Sequence, residues 1–290
     1  GYYESVDYQL LSGRERSILR IMPVEKSWGP DYMRFAVNLD TNSSAGATFA
    51  LRGAYHKTWL NSLGGELIVA VEIGERNQFG VDFYQPLDVQ QRFYVESTIS
   101  VGSESLNVFQ NNKKIAEYDV NETVGTLALG ANVGLLGQAR LGWQEKDRRS
   151  ALETGISSMP NVSKRFGGWF ASVDLEQMDR LYFPTKGWAT KINYFSSEEN
   201  DYSKIYAEAR AAYPIGDVVM AGRVSYSGSP KGTLPTYDAA SLGGIFNLSA
   251  FAKNQLIGDE MTFASLRTEK IIGRLPLGLR GDMRVGLALE

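Results

Sequence analysis

Apolar and polar residues alternate with a period of two along most of this chain. Phe79, Val81 and Phe83 alternate with Gly80, Asp82 and Tyr84. Upstream, Leu67, Val69 and Val71 alternate with Glu66, Ile68, Ala70 and Glu72, and Phe49, Leu51, Tyr55 and Trp59 with Thr48, Arg52, His56 and Thr58. Period two is the signature of a strand with one apolar and one polar face. The polar face carries charges, so it is wet. Two architectures satisfy this: a soluble sheet solvated on one side, or a barrel with a greasy outside and a watery inside.

From Asp31 the pattern predicts thirteen strands, at about 31–40, 45–59, 63–73, 76–87, 91–109, 112–134, 137–153, 165–181, 186–197, 201–214, 216–227, 260–273 and 278–290. Several exceed the usual five or six residues. Long strands suit a tilted barrel that crosses a bilayer and protrudes beyond it. Short turns with Gly or Pro are expected at Asn61–Gly64, Pro86–Val89, Leu135–Gly137, Pro184–Gly187, Pro214–Asp217 and Leu275–Gly278. The opposite ends carry polar connections: Asn42–Gly46, Gln110–Lys113, Lys146–Ser150, Ser196–Asp201 and the long Ser227–Gly258. Short turns at one rim and longer loops at the other are the outer-membrane arrangement, with the turns periplasmic and the loops extracellular.

On this reading Arg52, Glu66, Glu72, Asp82, Glu208 and Arg210 are charges in the lumen. Trp59, Tyr182, Phe183, Trp188 and Tyr213 lie near strand ends and are expected to form aromatic girdles at the lipid headgroups. The plainer reading makes them scattered barrel or sandwich aromatics. Before the barrel, Tyr2–Leu11 and Arg14–Val24 read as two paired strands, closed by the Gly-Pro junction Glu25–Tyr32. Two strands do not stand alone, so residues 1–30 are expected to be the end of a small domain and 31–290 the barrel.

Composition removes several functions. The formal net charge is -3, which gives nucleic acid no electrostatic footprint. There is no cysteine, so there are no disulfides and no thiolate metal sites. No apolar run approaches 18 residues, so no helix spans a membrane; a strand barrel would show no such run either. Residue 1 is Gly, not Met, and the chain is expected to be a portion of something larger. There is no G-x-S-x-G, no H-E-x-x-H and no phosphate-binding glycine loop. The single histidine, His56, is expected to be a polar lumen residue. This portion is therefore expected to be non-catalytic, with no cofactor and no metal.

Several short runs carry a family resemblance. Val24–Asp40, VEKSWGPDYMRFAVNLD, resembles the junction between a last POTRA domain and the first strand of the outer-membrane assembly barrels, the BamA/TamA and two-partner-secretion superfamily of bacterial surface antigens. Thr58–Leu67 is similar to the P-x-L-N-x-x-G turn of TamA-like proteins, and Phe83–Asp88 to their next turn. Asp179–Trp188, DRLYFPTKGW, resembles the D-x-x-x-x-P-x-x-G turn found across the superfamily and is the most specific of these matches. Leu242–Glu260 sits where the superfamily has its sixth extracellular loop. Within the superfamily the chain looks most like the translocator of patatin-like phospholipase autotransporters.

That resemblance implies an all-β fold: a transmembrane antiparallel β-barrel of sixteen strands in the parent, about thirteen present here, preceded by the end of a POTRA domain. It implies outer-membrane lipids and an N-terminal patatin-like passenger as partners, with a homodimer as a further arrangement. The implied function is anchoring and translocating or displaying that passenger by type V secretion, in the outer membrane of a Gram-negative bacterium. The alternatives are an assembly factor of the TamA/BamA kind, a passive pore, and a soluble all-β binding protein. The wider family carries V/I-R-G-F/Y in the sixth loop, with its arginine paired to acidic residues of the wall. Here the matching run is Leu248, Ser249, Ala250, Phe251, and serine supplies no forked cation. The resemblance leaves Lys253 and Arg267 as candidate substitutes, and matches Glu290 to the acidic partner; the other reading of Glu290 is one lumen carboxylate among many.

Overall fold

In the computed structural model the described residues are 3–12, 17–25, 31–42, 46–74, 76–111, 113–155, 161–180, 183–274 and 282–290. Tyr182 lies outside them. A two-stranded antiparallel hairpin, β1 (Tyr3–Ser12) and β2 (Ser17–Glu25), comes first. The rest forms one antiparallel sheet of thirteen strands. Its strands are β3 (Tyr32–Asn42), β4 (Gly46–Lys57), β5 (Glu66–Gly74), β6 (Arg76–Pro86), β7 (Phe93–Gln110), β8 (Lys113–Asn132) and β9 (Gly137–Thr154). They continue with β10 (Val162–Glu176), β11 (Gly187–Ser197), β12 (Ser203–Ile215), β13 (Val218–Gly228), β16 (Met261–Arg274) and β17 (Asp282–Leu289). Between β13 and β16 a long loop carries its own two-stranded piece, β14 (Ala240–Leu242) and β15 (Leu256–Gly258). Neighbours in sequence are neighbours in the sheet, and among the described residues β3 and β17 are its two edges.

Register carries the alternation across strands. Phe83, Ser97, Leu127, Trp143 and Trp169 lie in one outward row, and Trp143 meets Trp169 edge-on at 5.6 Å. Four residue pairs further along, two steps on the same face, the outward row is Val101, Thr123, Asp147 and Arg165. The outer face therefore changes from aromatic to charged within two steps, as at a membrane–water boundary. This aromatic pair was not among the expected girdle residues; the signal for it is Trp143 followed two positions later by Glu145. Outward side chains such as Phe35, Phe79, Leu129, Trp188, Tyr213 and Leu287 are exposed, and no second sheet of comparable size covers them among the described residues. That arrangement rules against the soluble sandwich and suits lipid as the solvent.

One expected connection falls elsewhere. Lys146–Ser150 is not a loop; it lies inside β9 and pairs with Val162–Phe166, and the connection falls at 155–161. The charged run is tolerated because these strands project beyond the apolar band. There Arg148 pairs with Glu122 and Arg149 with Asp147. The rims also do not divide by length as expected: β5 ends at Gly74 and β6 begins at Arg76 on the same rim as the longest connection, 229–260.

On the other rim two turns are capped by an aspartate. At Asp179 the carboxylate accepts hydrogen bonds from the Thr185 hydroxyl (2.5 Å) and from the amides of Thr185 (2.8 Å) and Lys186 (3.1 Å). Phe183 takes φ +49°, and Gly187 takes φ +114°, where a Cβ would lie 2.1 Å from the Gln177 carbonyl oxygen. The Asp and Gly of the D-x-x-x-x-P-x-x-G run are thus backbone requirements. Asp88 does the same for the amides of Arg92 and Phe93.

The Thr185 hydroxyl, followed by these amides, holds the Asp179 carboxyl down to about 2. A depressed folded value contributes stability above the unfolded carboxylate value, about 3.9, that is lost as pH falls through the folded one. The turn is therefore expected to keep its cap at pH 4 and to lose it toward pH 2. A carboxyl-carbon NMR titration in micelles measures this, and a midpoint near 4 would show that the cap is not formed.

Candidate functional site: a loop seated on the inner face

The connection 229–260 folds back onto the polar inner face. Its first arm is held by aromatic burial. Leu234 and Ala240 join Phe166, Phe195 and Tyr202 in one buried cluster, with Phe170, Tyr237 and Met261 around it. Polar groups orient the arm. Lys204 Nζ donates to the Asp238 carbonyl (2.7 Å) and carboxylate (2.9 Å), and the Tyr202 hydroxyl donates to the same carboxylate at 2.9 Å. Burial, followed by the Asp238 charge, pushes the Tyr202 hydroxyl well above its ordinary range, so it stays a donor at any physiological pH.

The tip is a tight fold of left-handed residues. Gly243 and Gly244 have φ +126° and +106°, and Phe246 and Leu248 have +59° and +77°. Non-glycine residues there cost of order 1–3 kcal/mol each and persist only where surrounding contacts fix them. The contacts are present. The amide of Gly243 donates to Asn247 O (2.9 Å), that of Gly244 to Phe251 O (3.0 Å), and that of Phe251 to Leu248 O (3.1 Å).

The wall then grips the tip at three strands. From β13, Arg223 donates to the Phe246 carbonyl at 2.9 Å while its Nε donates to Glu208 at 2.7 Å. From β16, the Arg267 guanidinium lies over the Phe246 ring at 5.0 Å and the Phe183 ring at 5.2 Å. The two rings meet edge-on at 6.0 Å. After β17, the Glu290 carboxylate accepts from the Ser249 amide at 2.5 Å. Beneath them, Glu269 pairs with both Arg267 and Arg284, the latter at 2.9 Å.

The structure thus brings Ser249, Arg267, Glu290, Glu208 and Arg210 to one place; Arg210 pairs with Glu208 at 3.1 Å. Leu248 and Phe251 shape the turn through their backbones, and Ala250 is exposed. Arg52, Glu66, Glu72 and Asp82 belong elsewhere on the inner face, on β4, β5 and β6. Arg52 pairs with Glu72 (2.9 Å), and His56 bridges Glu66 (2.7 Å) and the Tyr32 hydroxyl (2.5 Å). Trp59, Trp188 and Tyr213 are exposed near the strand ends. Phe183 departs from the expected girdle: its left-handed backbone takes it out of the period-two register and turns its ring toward the loop. Glu269, Arg284 and Arg223 escaped the sequence reading because strand pairing and loop return, not spacing, bring them together. Among the described residues no group of three or more His, Asp or Glu is placed to hold a metal.

One large antiparallel sheet with an apolar exterior, a charged interior and a loop seated inside defines an outer-membrane barrel protein. The model of the Omp85 superfamily domain matches residues 60–278, and the chain belongs to that superfamily. This membership places it in the outer membrane. No curated protein matches the sequence. Among solved structures, it is similar to BamA from Haemophilus ducreyi lacking POTRA domains 1–3, with TM-score 0.70 and 14% identity over 99% of this chain and 62% of that one. It is also similar to CdiB from Acinetobacter baumannii (TM-score 0.59, 13% identity, 96% of this chain and 53% of that one). CdiB from Escherichia coli gives TM-score 0.60 and 14% identity over 94% of this chain and 54% of that one. The chain thus spans under two thirds of each, and at such identities the likeness is one of fold. These matches carry the superfamily and not the patatin branch expected from the sequence.

Proposed function

We propose that this chain is the membrane barrel of an Omp85-type factor that assembles or translocates other polypeptides at the outer membrane. The observation that carries the reading is the loop 229–260, pinned to the inner face through β13, β16 and the end of β17. A loop held this way obstructs passive flow and ties the interior to β17. Residues 1–30, with their β1–β2 hairpin, are on this reading the end of a POTRA domain, and the Asp-capped rim is periplasmic. The better fold match to BamA than to CdiB supports assembly as the activity.

Service to an attached patatin-like passenger is a second reading, favoured by Ser249 where the wider family carries its loop arginine. The test uses the full-length protein in proteoliposomes with a urea-denatured outer-membrane barrel as substrate. Folding several-fold faster than on empty vesicles is expected. Steady ion conductance without acceleration would instead mark a passive pore. Phospholipid hydrolysis without acceleration would favour the passenger reading.

A further inference from the structure

We propose that the rim turn between β10 and β11 is the receptor for the loop tip, and that it couples the seating of that tip to strand β17. The proposal rests on the loop being a working element, as above. Its residues are Phe183 and Arg180, which act as positioning residues.

Phe183 comes from the rim opposite the one where the loop originates, yet its ring stands edge-on to Phe246 at the tip, 6.0 Å away. Arg267 lies over both rings, and Arg284 lies 5.8 Å from the Phe183 centroid. One aromatic ring thus touches the loop and, through two guanidinium groups, both β16 and β17. Arg180 adds a second link. It donates to Asp282, the first residue of β17, at 2.5 Å across 102 positions of sequence. Asp282 is also 3.5 Å from Arg284, which pairs with Glu269. Among its described residues, the Asp179 cap and Gly187 hold the turn's backbone.

The chain of contacts runs from the tip through Phe183, Arg284 and Asp282 to Arg180, and every link is an ion pair or a ring contact. If the tip leaves, Phe183 loses its ring partner and Arg267 one of its two faces. If β17 moves, Asp282 and Arg284 leave the turn. Coupling of this kind is reciprocal: what displaces one end loosens the other. Arg180 forms its ion pairs with Asp179 and Asp282, not with the loop. An effect of Arg180 on the loop is therefore the specific mark of the coupling.

Residues 1–290 have no cysteine, so spin labels are placed at Ile245→Cys in the tip and Ser163→Cys on β10, with any cysteine elsewhere in the full-length protein replaced by serine. Pulsed dipolar measurements on the full-length protein in liposomes report the seated population. A single narrow distance is expected for the parent. Phe183→Ala is expected to lower that population about fivefold, from the lost ring pair and cation–π contacts. Phe183→Tyr should retain it, and Phe183→Leu, which keeps bulk without ring faces, should behave as alanine does and serves if the alanine variant does not fold. Arg180→Ala is expected to lower it about twofold, as befits a half-exposed ion pair. Heat-modifiable gel mobility checks the barrel in each variant. Unchanged distances in both the Phe183 and the Arg180 variants overturn the proposal. A shift in the Phe183 variants alone overturns the coupling to β17. Shifted distances with undiminished assembly activity would count against the proposed function and leave the receptor standing.

Discussion

Glu269→Ala is expected to cost the protein about 3 kcal/mol of stability, the low end for breaking a buried ion pair by removing one partner. The Glu269 side chain is 5% exposed and faces Arg284, 9% exposed, and Arg267, 22% exposed. Its place depends on the strand beside it: Gly286 is its cross-strand partner, and a Cβ there would come within 3.2 Å of the Glu269 side chain. Removing the carboxylate leaves two guanidinium groups side by side with little water. Arg267 is the wetter of the two, which keeps the expectation at the low end. Glu269→Gln retains an acceptor and should cost less. Pairing Glu269→Met with Arg284→Met should recover much of the loss, because a pair replaced by apolar side chains of similar size is often neutral. Urea unfolding followed by tryptophan fluorescence reads these differences. A shift for Glu269→Ala equivalent to under about 1 kcal/mol, the range of solvated pairs, would mean that the cluster is open to water.

The second large effect is expected at the loop tip. Gly243 has φ +126°, and a Cβ built on it would lie 2.0 Å from the Ala252 carbonyl oxygen. Valine at this position meets both left-handed strain, of order 1–3 kcal/mol, and a backbone clash that no rotamer relieves. The seated population should fall by at least about thirtyfold, since 1.4 kcal/mol is a factor of ten. Gly244 gives an internal control. Its φ is +106°, but a Cβ there would lie 3.5 Å from Lys253 Cα, an ordinary contact. Gly244→Ala should therefore show strain alone and a smaller loss. Protease added outside intact cells should cut within 229–260 in Gly243→Val and spare the parent protein. Equal resistance in both would show that the seated tip does not depend on this turn.

The sequence by itself determined the strands and their two faces. Thirteen predicted segments correspond to the thirteen strands of the large sheet, and the alternation around Phe79–Phe83 runs unbroken into their neighbours. Period two is a local property, set by the pleat of each strand, so a single sequence carries it. The same holds for the turn at Asp179, where one carboxylate and one glycine answer backbone needs within nine residues.

Only the tertiary structure decided what meets on the inner face. Ser249 and Glu290 are 41 residues apart, and Arg180 and Asp282 are 102. Their contacts follow from the register of the strands and the return of one long loop. The charged run Lys146–Ser150 reads as a loop because charge is usually solvated, yet a strand that rises beyond the bilayer is solvated on both faces. Phe183 reads as a girdle aromatic because the pattern assumes it continues a strand. A left-handed residue breaks that assumption and turns the ring inward. The alternation says which side chains share a face; the pairing of strands says which of them touch.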